Sequence, residues 1–267
     1  MFLALLVSTL IAPADSWRTD RTWYDGLAEK CVYEATRTIY GVERRYEAIA
    51  YTNKELVDPE RGVKSDGNEG IEAFKHHWSE RVPTERYDYD FSTMSYTRVA
   101  DLAAWKLTVS TQEDCGSSFK EVWRDDSKLR WSESVYFPGA GRREGKLFGD
   151  TNFFDALTLV LRGPDFARSG GGVELSVLPM QKDTHAVSFE PVRCTVVAGE
   201  TSELDLPIGK VRAREVKLVK PDGSVEARYW FADDATPPML NALVRFEGPQ
   251  GITYRLKSHE RLAYWKR

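Results

Sequence analysis

Along most of the chain, apolar and polar residues alternate with a period of two, the mark of strands that bury one face. Cys31 to Tyr40 is rich in β-branched and aromatic residues, and Gly41-Val42 can turn it back into Arg45 to Tyr51 as a hairpin. Tyr87 to Phe91 places its aromatic rings on one side, and Trp105, Leu107 and Val109 share a face of the next alternating stretch. Phe119 to Trp123 resumes the pattern, and Trp131 to Phe137 repeats it before the Pro-Gly-Ala-Gly turn at 138–141. Val211 to Lys220 and Ser224 to Phe231 flank Pro221-Asp222-Gly223, a strand-turn-strand arrangement. Ile252, Tyr254 and Leu256 alternate after Gly248 to Gly251, which predicts one more hairpin. Ile71 to Arg81 has apolar residues at 71, 74 and 78, a spacing that suits a helix but in so short a segment suits a strand as well. Asn152 to Arg162 is the best helix candidate, with Phe154, Leu157, Val160 and Leu161 in one stripe and Gly163-Pro164 as its stop.

These elements predict a mostly β protein of roughly a dozen antiparallel strands and one or two helices. Its sheet is expected to curve into a half-barrel or open barrel, since such sheets either expose one face or curl around a cavity. Residues 15–267 are read as a single β-rich domain, with Arg168 to Gly172 a flexible joint between two halves. Phe2 to Ile11 is an uncharged apolar run, and Ala12-Pro13-Ala14 supplies the small-x-small pattern that signal peptidase reads. Residues 1–14 are therefore expected to be a signal peptide, and the mature chain a periplasmic or secreted protein of the bacterial envelope. The run falls short of the roughly 20 apolar residues of a stable span, and no later segment suits one.

Composition narrows the function. A formal charge of -4 gives no basic face for nucleic acid. Three cysteines, Cys31, Cys115 and Cys194, allow one disulfide of unspecified pairing and one thiol left over. Cys115 lies in Thr111 to Lys120, where Gln112 precedes it by three residues and Gly116-Ser117 follows, as in the nucleophile loop of papain-like proteases; His259 stands 144 residues downstream. The flanks, however, read as strands, Asp114 places a negative charge beside the thiol, and no Asn or Asp follows His259. The stretch reads better as a hairpin turn with Gly116 as its permissive residue, and Cys115 as a half-cystine or an inert buried thiol. Adjacent His76 and His77 diverge on either a strand or a helix, so no metal site is predicted; His185 and His259 stand alone. Tyr87-Asp88-Tyr89-Asp90 would present an acidic aromatic patch to a sugar or a cation, or else be an amphipathic strand with its carboxylates in water. Gly170 to Gly172 lacks the Lys and helix of a phosphate loop, there is no Gly-x-Ser-x-Gly elbow, and no cofactor is predicted.

Three blocks carry a family resemblance: Trp23 to Glu29 with Tyr33, Ile39-Tyr40-Gly41 and Glu43; Lys106 to Gly116; and Leu206 to Ala213 with Tyr229-Trp230-Phe231 and Tyr254 to Leu256. The first two resemble uncharacterised secreted bacterial proteins often labelled septum formation inhibitors, in which Trp stands at the place of Asp114. The Ser-x-Ser-x-Arg motif of the genuine α/β septum inhibitors is absent here. The third block is similar to periplasmic proteins of a domain of unknown function. That resemblance implies a curved antiparallel half-barrel, similar in shape to the periplasmic lipoprotein carriers. The expectation that follows is a non-enzymatic envelope protein that binds a lipid or other apolar ligand within its curved sheet, with Trp105, Tyr229, Phe231 and Tyr254 as lining. The alternatives are an envelope scaffold that pairs with a protein partner, and a thiol hydrolase built on Cys115.

Overall fold

The computed structural model describes residues 16–67, 69–125, 128–147, 149–163 and 172–266. The expected signal peptide and residues 168–171 of the expected joint lie outside the described residues. Sixteen strands form one sheet. They are β1 (Ala28–Ile39), β2 (Val42–Asp58), β3 (Val63–Lys64), β4 (Ile71–Val82), β5 (Tyr89–Arg98), β6 (Ala104–Glu113), β7 (Gly116–Asp125), β8 (Lys128–Val135) and β9 (Gly141–Leu147), then β10 (Asn152–Phe153), β11 (Val173–Leu178), β12 (Val192–Leu206), β13 (Gly209–Val219), β14 (Val225–Ala232), β15 (Leu243–Glu247) and β16 (Thr253–Leu262). The strand order is β10-β11-β12-β13-β14-β15-β16-β1-β2-β4-β5-β6-β7-β8-β9, with β3 attached to β2. Neighbours are antiparallel except β10 and β11. Among the described residues β9 and β10 end the path without pairing to each other, so the sheet is open, and β16 against β1 makes it continuous across both halves of the chain.

The alternation of the sequence becomes an inside and an outside. On β1, Glu29, Cys31, Tyr33, Ala35 and Arg37 all point to the buried side. The concave face is filled by the chain itself, along two segments. The first runs through a 3₁₀ turn (Phe154–Ala156) and the four-residue helix α2 (Leu157–Val160), which follows α1 (Ser16–Thr19) in the chain. The second is the irregular stretch 179–191. Phe189 of this stretch stacks on Trp131 of β8 at 4.0 Å, and Phe154 meets Phe246 of β15 edge-on at 6.5 Å. Gly145 lies opposite Trp131 on β9, where a Cβ would sit 2.7 Å from the indole, so the missing side chain makes room for that ring.

Several expectations change in the three-dimensional setting. Asn152 to Arg162 is helical only from Phe154 to Val160. Phe154, Leu157, Leu159 and Leu161 are all buried because the segment lies inside the curve, so its apolar content reflects burial on every side rather than one amphipathic stripe. Ile71 to Arg81, whose spacing suited either element, is strand. Trp105 does not share the face of Leu107 and Val109. The pairing of β5 and β6 shifts at Tyr96/Thr97, Trp105 is the extra residue of that bulge, and it packs with Val57, Ala73 and Tyr96. The turn at Asp114-Cys115 joins Glu113 to Gly116 directly. Gly116 has no positive φ; its role is steric, since a Cβ there would lie 2.7 Å from the Tyr136 ring and 3.0 Å from that of Phe137. The backbone that needs positive φ is the β1–β2 turn, Tyr40-Gly41, at 53° and 74°.

Candidate functional site

The inward face of β1 can be followed from one end of the curved sheet to the other. At its start, Glu29 accepts from Arg162 at both oxygens, at 2.9 and 2.5 Å. Arg162 also donates to the carbonyls of Leu240 and Met239, and His259 Nε2 reaches Glu29 at 3.1 Å. Trp17, Trp23, Phe74, Leu159 and Leu240 pack over this end and seal it. Burial alone would raise the Glu29 pKa, but the Arg162 charge and the hydrogen bonds from His259 and Arg162 together outweigh it and hold the carboxyl at about 2. Among the described residues, Glu29, Cys31 and His259 form the one trio with metal-ligating atoms within 4.8 Å of one another. Both oxygens of Glu29 are already committed to a buried cation, and burial followed by the Glu29 charge pushes the Cys31 thiol far up, away from the thiolate that a metal needs. The trio is therefore part of the seal.

The middle is packed aromatic core with a polar centre. Trp78 stacks on Tyr254 at 4.6 Å and on Tyr33 at 5.2 Å, and Phe246 links Tyr254 to Tyr229 at 5.3 and 5.1 Å. Glu80 accepts from Lys182, from the Tyr254 hydroxyl at 2.7 Å and from the Tyr46 hydroxyl at 2.7 Å. Lys120 is fully buried and donates to the carbonyls of Gln181, Asp183 and His185 at 3.0, 2.9 and 2.6 Å, which fixes the interior loop. Trp78 Nε1 donates to His76 Nε2 at 2.8 Å, so the other ring nitrogen must carry the proton and donate to Thr52 Oγ1 at 2.8 Å. Burial holds the His76 pKa down to about 3, in agreement with that neutral tautomer. A cavity of about 30 Å³ remains beside Thr93, Asp155 and Lys182, room for a water molecule or two.

At the far end the packing opens into a groove of about 410 Å³. Its walls come from the β1–β2 turn (Tyr40), β5 (Tyr89, Phe91), the end of β6 (Glu113), the β8–β9 loop (Phe137), the interior loop (Asp183, His185) and the β15–β16 turn (Gln250), with Arg37 at the base. Tyr40 is 77% exposed and accepts from the Tyr89 hydroxyl at 2.6 Å. Phe137 and His185 lie ring to ring at 4.8 Å. Arg37 is 3% exposed and sits 4.0 Å over the Phe91 ring; its Nη2 donates to Lys182 O at 2.8 Å and to Gln250 Oε1, while Nη1 has no partner. Glu113 is 5% exposed, and its Oε2 also has no partner. Burial first, and then hydrogen bonding with Tyr40, Tyr87 and Glu113, pushes the Tyr89 phenol far above its ordinary pKa, so it remains a donor. Buried polar atoms left unpaired cost about 1–3 kcal/mol each, and Arg37 and Glu113 bring two of them to this groove.

The residues expected to line a ligand are dispersed. Tyr229 and Tyr254 come together through Phe246 and Phe231 stacks on Tyr229, but in the packed interior, where none exposes more than 2% of its surface. Trp105 is elsewhere, on the wall of an outer concavity with Trp123 and Arg124. All three cysteines are free thiols, Cys31 and Cys194 buried and Cys115 exposed. His259, the imidazole that sequence spacing offers to Cys115, contacts Glu29 at the sealed end instead; the Cys115 sulfur meets the Tyr87 hydroxyl at 3.1 Å. His76 and His77 point to opposite faces, His77 toward Ser92 Oγ at 3.0 Å. Arg37, Tyr40, Glu113, Phe137 and Gln250 carry no local signature. The one hint is that Arg37 keeps the register of Tyr33 and Ala35, which places a charge in an otherwise buried row.

No protein-family model matches the chain, and no curated protein matches it. A crystal structure does: a β-barrel-like protein of the domain of unknown function DUF1849 from Brucella abortus, at a TM-score of 0.51 and 12% sequence identity, covering 88% of this chain and 98% of that one. The two share a fold. At that identity the likeness speaks for architecture alone. It agrees with the expected resemblance to β-rich proteins of unknown function and lends nothing to the septum-inhibitor label, which belongs to an α/β fold.

Proposed function

We propose that the protein is a non-enzymatic binding protein of the bacterial cell envelope that takes a small ligand into the groove at the open end of its sheet. The observation that carries this reading is the pair Arg37 and Glu113, both buried, each with an unfilled hydrogen-bonding position, beside the exposed ring of Tyr40 and the Phe137–His185 pair. Sites of this kind are concave, mostly apolar and anchored by a few polar groups, with volumes of about 300–1,000 Å³. The ligand expected inside the curve moves to its rim, because the interior is occupied by residues 153–162 and 179–191. Export rests on the apolar run and small-x-small pattern at 2–14. Among the described residues no helix is long and apolar enough to cross a membrane.

The scaffold reading draws on the free edge of β9. That strand is exposed and carries Arg142, Arg143 and Lys146, charges of the kind that discourage strand addition, so the groove is the better-supported site. The test is native mass spectrometry of protein purified from the envelope fraction, with a thermal-shift screen of small envelope compounds. A bound species that is lost on Tyr40→Ala supports the proposal. Recovery from the cytosol with the N-terminus intact, together with no thermal shift from any compound, would sink it.

A further inference from the structure

The chemistry of the groove narrows the ligand class. Its lining carries both charges: Arg37, with Asp183 bridged to it through Gln250, and Glu113. Asp183 is held by Gln250 Nε2 and by the His185 backbone N–H at 2.8 Å, so it faces the site as a fixed acceptor. An anionic ligand would meet the two carboxylates, and a cationic one would meet Arg37. An acyl chain would satisfy the rings but offer no partner to the polar groups of Arg37, Glu113 and Asp183 that line the groove. An uncharged ring bearing hydroxyls avoids all three penalties. Each hydroxyl donates and accepts, so one ligand can fill the empty donor position at Arg37 and the empty acceptor position at Glu113.

The aromatic groups fit the same ligand. Tyr40 is exposed over most of its surface, is fixed by the hydrogen bond from Tyr89, and stands at 72° to the Tyr89 ring with centroids 6.3 Å apart. Phe137 and His185 form a second, tilted pair in the lining at 31°. Rigid rings of this sort provide flat apolar faces at small entropic cost, and the C–H face of a saturated sugar ring packs on them as aliphatic side chains do. Tyr87, in hydrogen-bond contact with Cys115, and Tyr136, 75% exposed, extend the aromatic rim on either side.

We infer that the groove binds a neutral saccharide, one or two uncharged pyranose units of an envelope glycan, with Arg37 and Glu113 on its hydroxyls and Tyr40 and Phe137 on its ring faces. This rests on the binding reading above. The full chain would be titrated calorimetrically with neutral disaccharides (cellobiose, maltose, chitobiose), an oligogalacturonate, a fluorescent acyl probe and an aromatic dipeptide. At least one neutral disaccharide is expected to bind, and to show saturation transfer to its ring protons. Tyr40→Ala and Phe137→Ala should each weaken binding about tenfold, and Glu113→Gln about fivefold. Tyr40 is exposed, so the Y40A protein keeps its fold, and its melting temperature serves as control. Binding of the acyl probe or the dipeptide alone, lost in Y40A, overturns the saccharide class and leaves the binding reading standing. Tight binding of the galacturonate in preference to the neutral sugars also overturns it. Saccharide binding that Y40A leaves unchanged removes the site from this groove. No binding of any probe defeats the inference and the proposed function together.

Discussion

The two ends of the curved sheet are built from the same residue types and put to opposite use. At one end Glu29 and Arg162 share two hydrogen bonds, two backbone carbonyls take further donors of the guanidinium, and Trp17 and Trp23 close over them. At the other, Arg37 lies over Phe91 and Glu113 beside Tyr89; each keeps an unfilled position, and the rings around them stand open. A buried charge that is fully paired becomes structure, since removal of its partner strands it in a low dielectric. A buried charge left short of a partner is a standing cost that bound ligand can offset. That contrast is why the proposed site lies at the rim.

The sharpest way to test the contrast is to break the sealed end. Arg162→Met should cost about 3–5 kcal/mol in urea unfolding, because Glu29 is left buried without its cation. Glu29→Gln in the same chain should restore part of the loss. Acid comes next. His76 is held neutral with a pKa of about 3, well below its unfolded value near 6.5. The unfolded chain thus takes the proton first. Stability from this group is complete above pH 6.5 and falls as pH drops toward 3, by a few kcal/mol in all. Glu29, at about 2, adds a second loss below about pH 4.5. A urea midpoint that stays flat from pH 7 to 4 would contradict the buried neutral imidazole. Lys120→Met should cost about 2–3 kcal/mol, since it strips a charged donor from three carbonyls of the interior loop. At the rim, by contrast, Tyr40→Ala should change stability by no more than about 0.5 kcal/mol. Alkylation completes the series: Cys115 should react in the folded protein, and Cys31 and Cys194 only after unfolding.

Alternation made most of the strands legible, because a half-buried strand writes its two faces directly into the chain. It was silent where a residue leaves that rule. Trp105 lost its face to a bulge that only the β5–β6 pairing reveals. The segment 152–162 is apolar enough for a helix, yet buried on every side, so its period carried little information. Lys120 and Arg37 sit in inward rows, and sequence reading takes isolated charges for solvated ones. The separation of Cys115 from His259 carries no contact, because neighbours are set by the pairing of β16 with β1, which delivers His259 to Cys31. The groove is least legible of all. Its walls come from separate turns and loops of both halves of the chain, and no window of sequence holds more than a few of them.

The pairing of β1 with β16 also sets the order in which this chain can be finished. Ala28 meets Leu262, and Thr36 meets Thr253, across more than two hundred residues. β1 gains β2 as a neighbour at once, but its second edge stays bare until the last strand has been made, and the entropy of closing so large a loop must be met before that contact repays it. Assembly is therefore expected to be slow, with β1 and β16 brought together late. A chain cut short before Thr253 would lose more than a terminus, since it would present β1 as an open template to the next copy of itself.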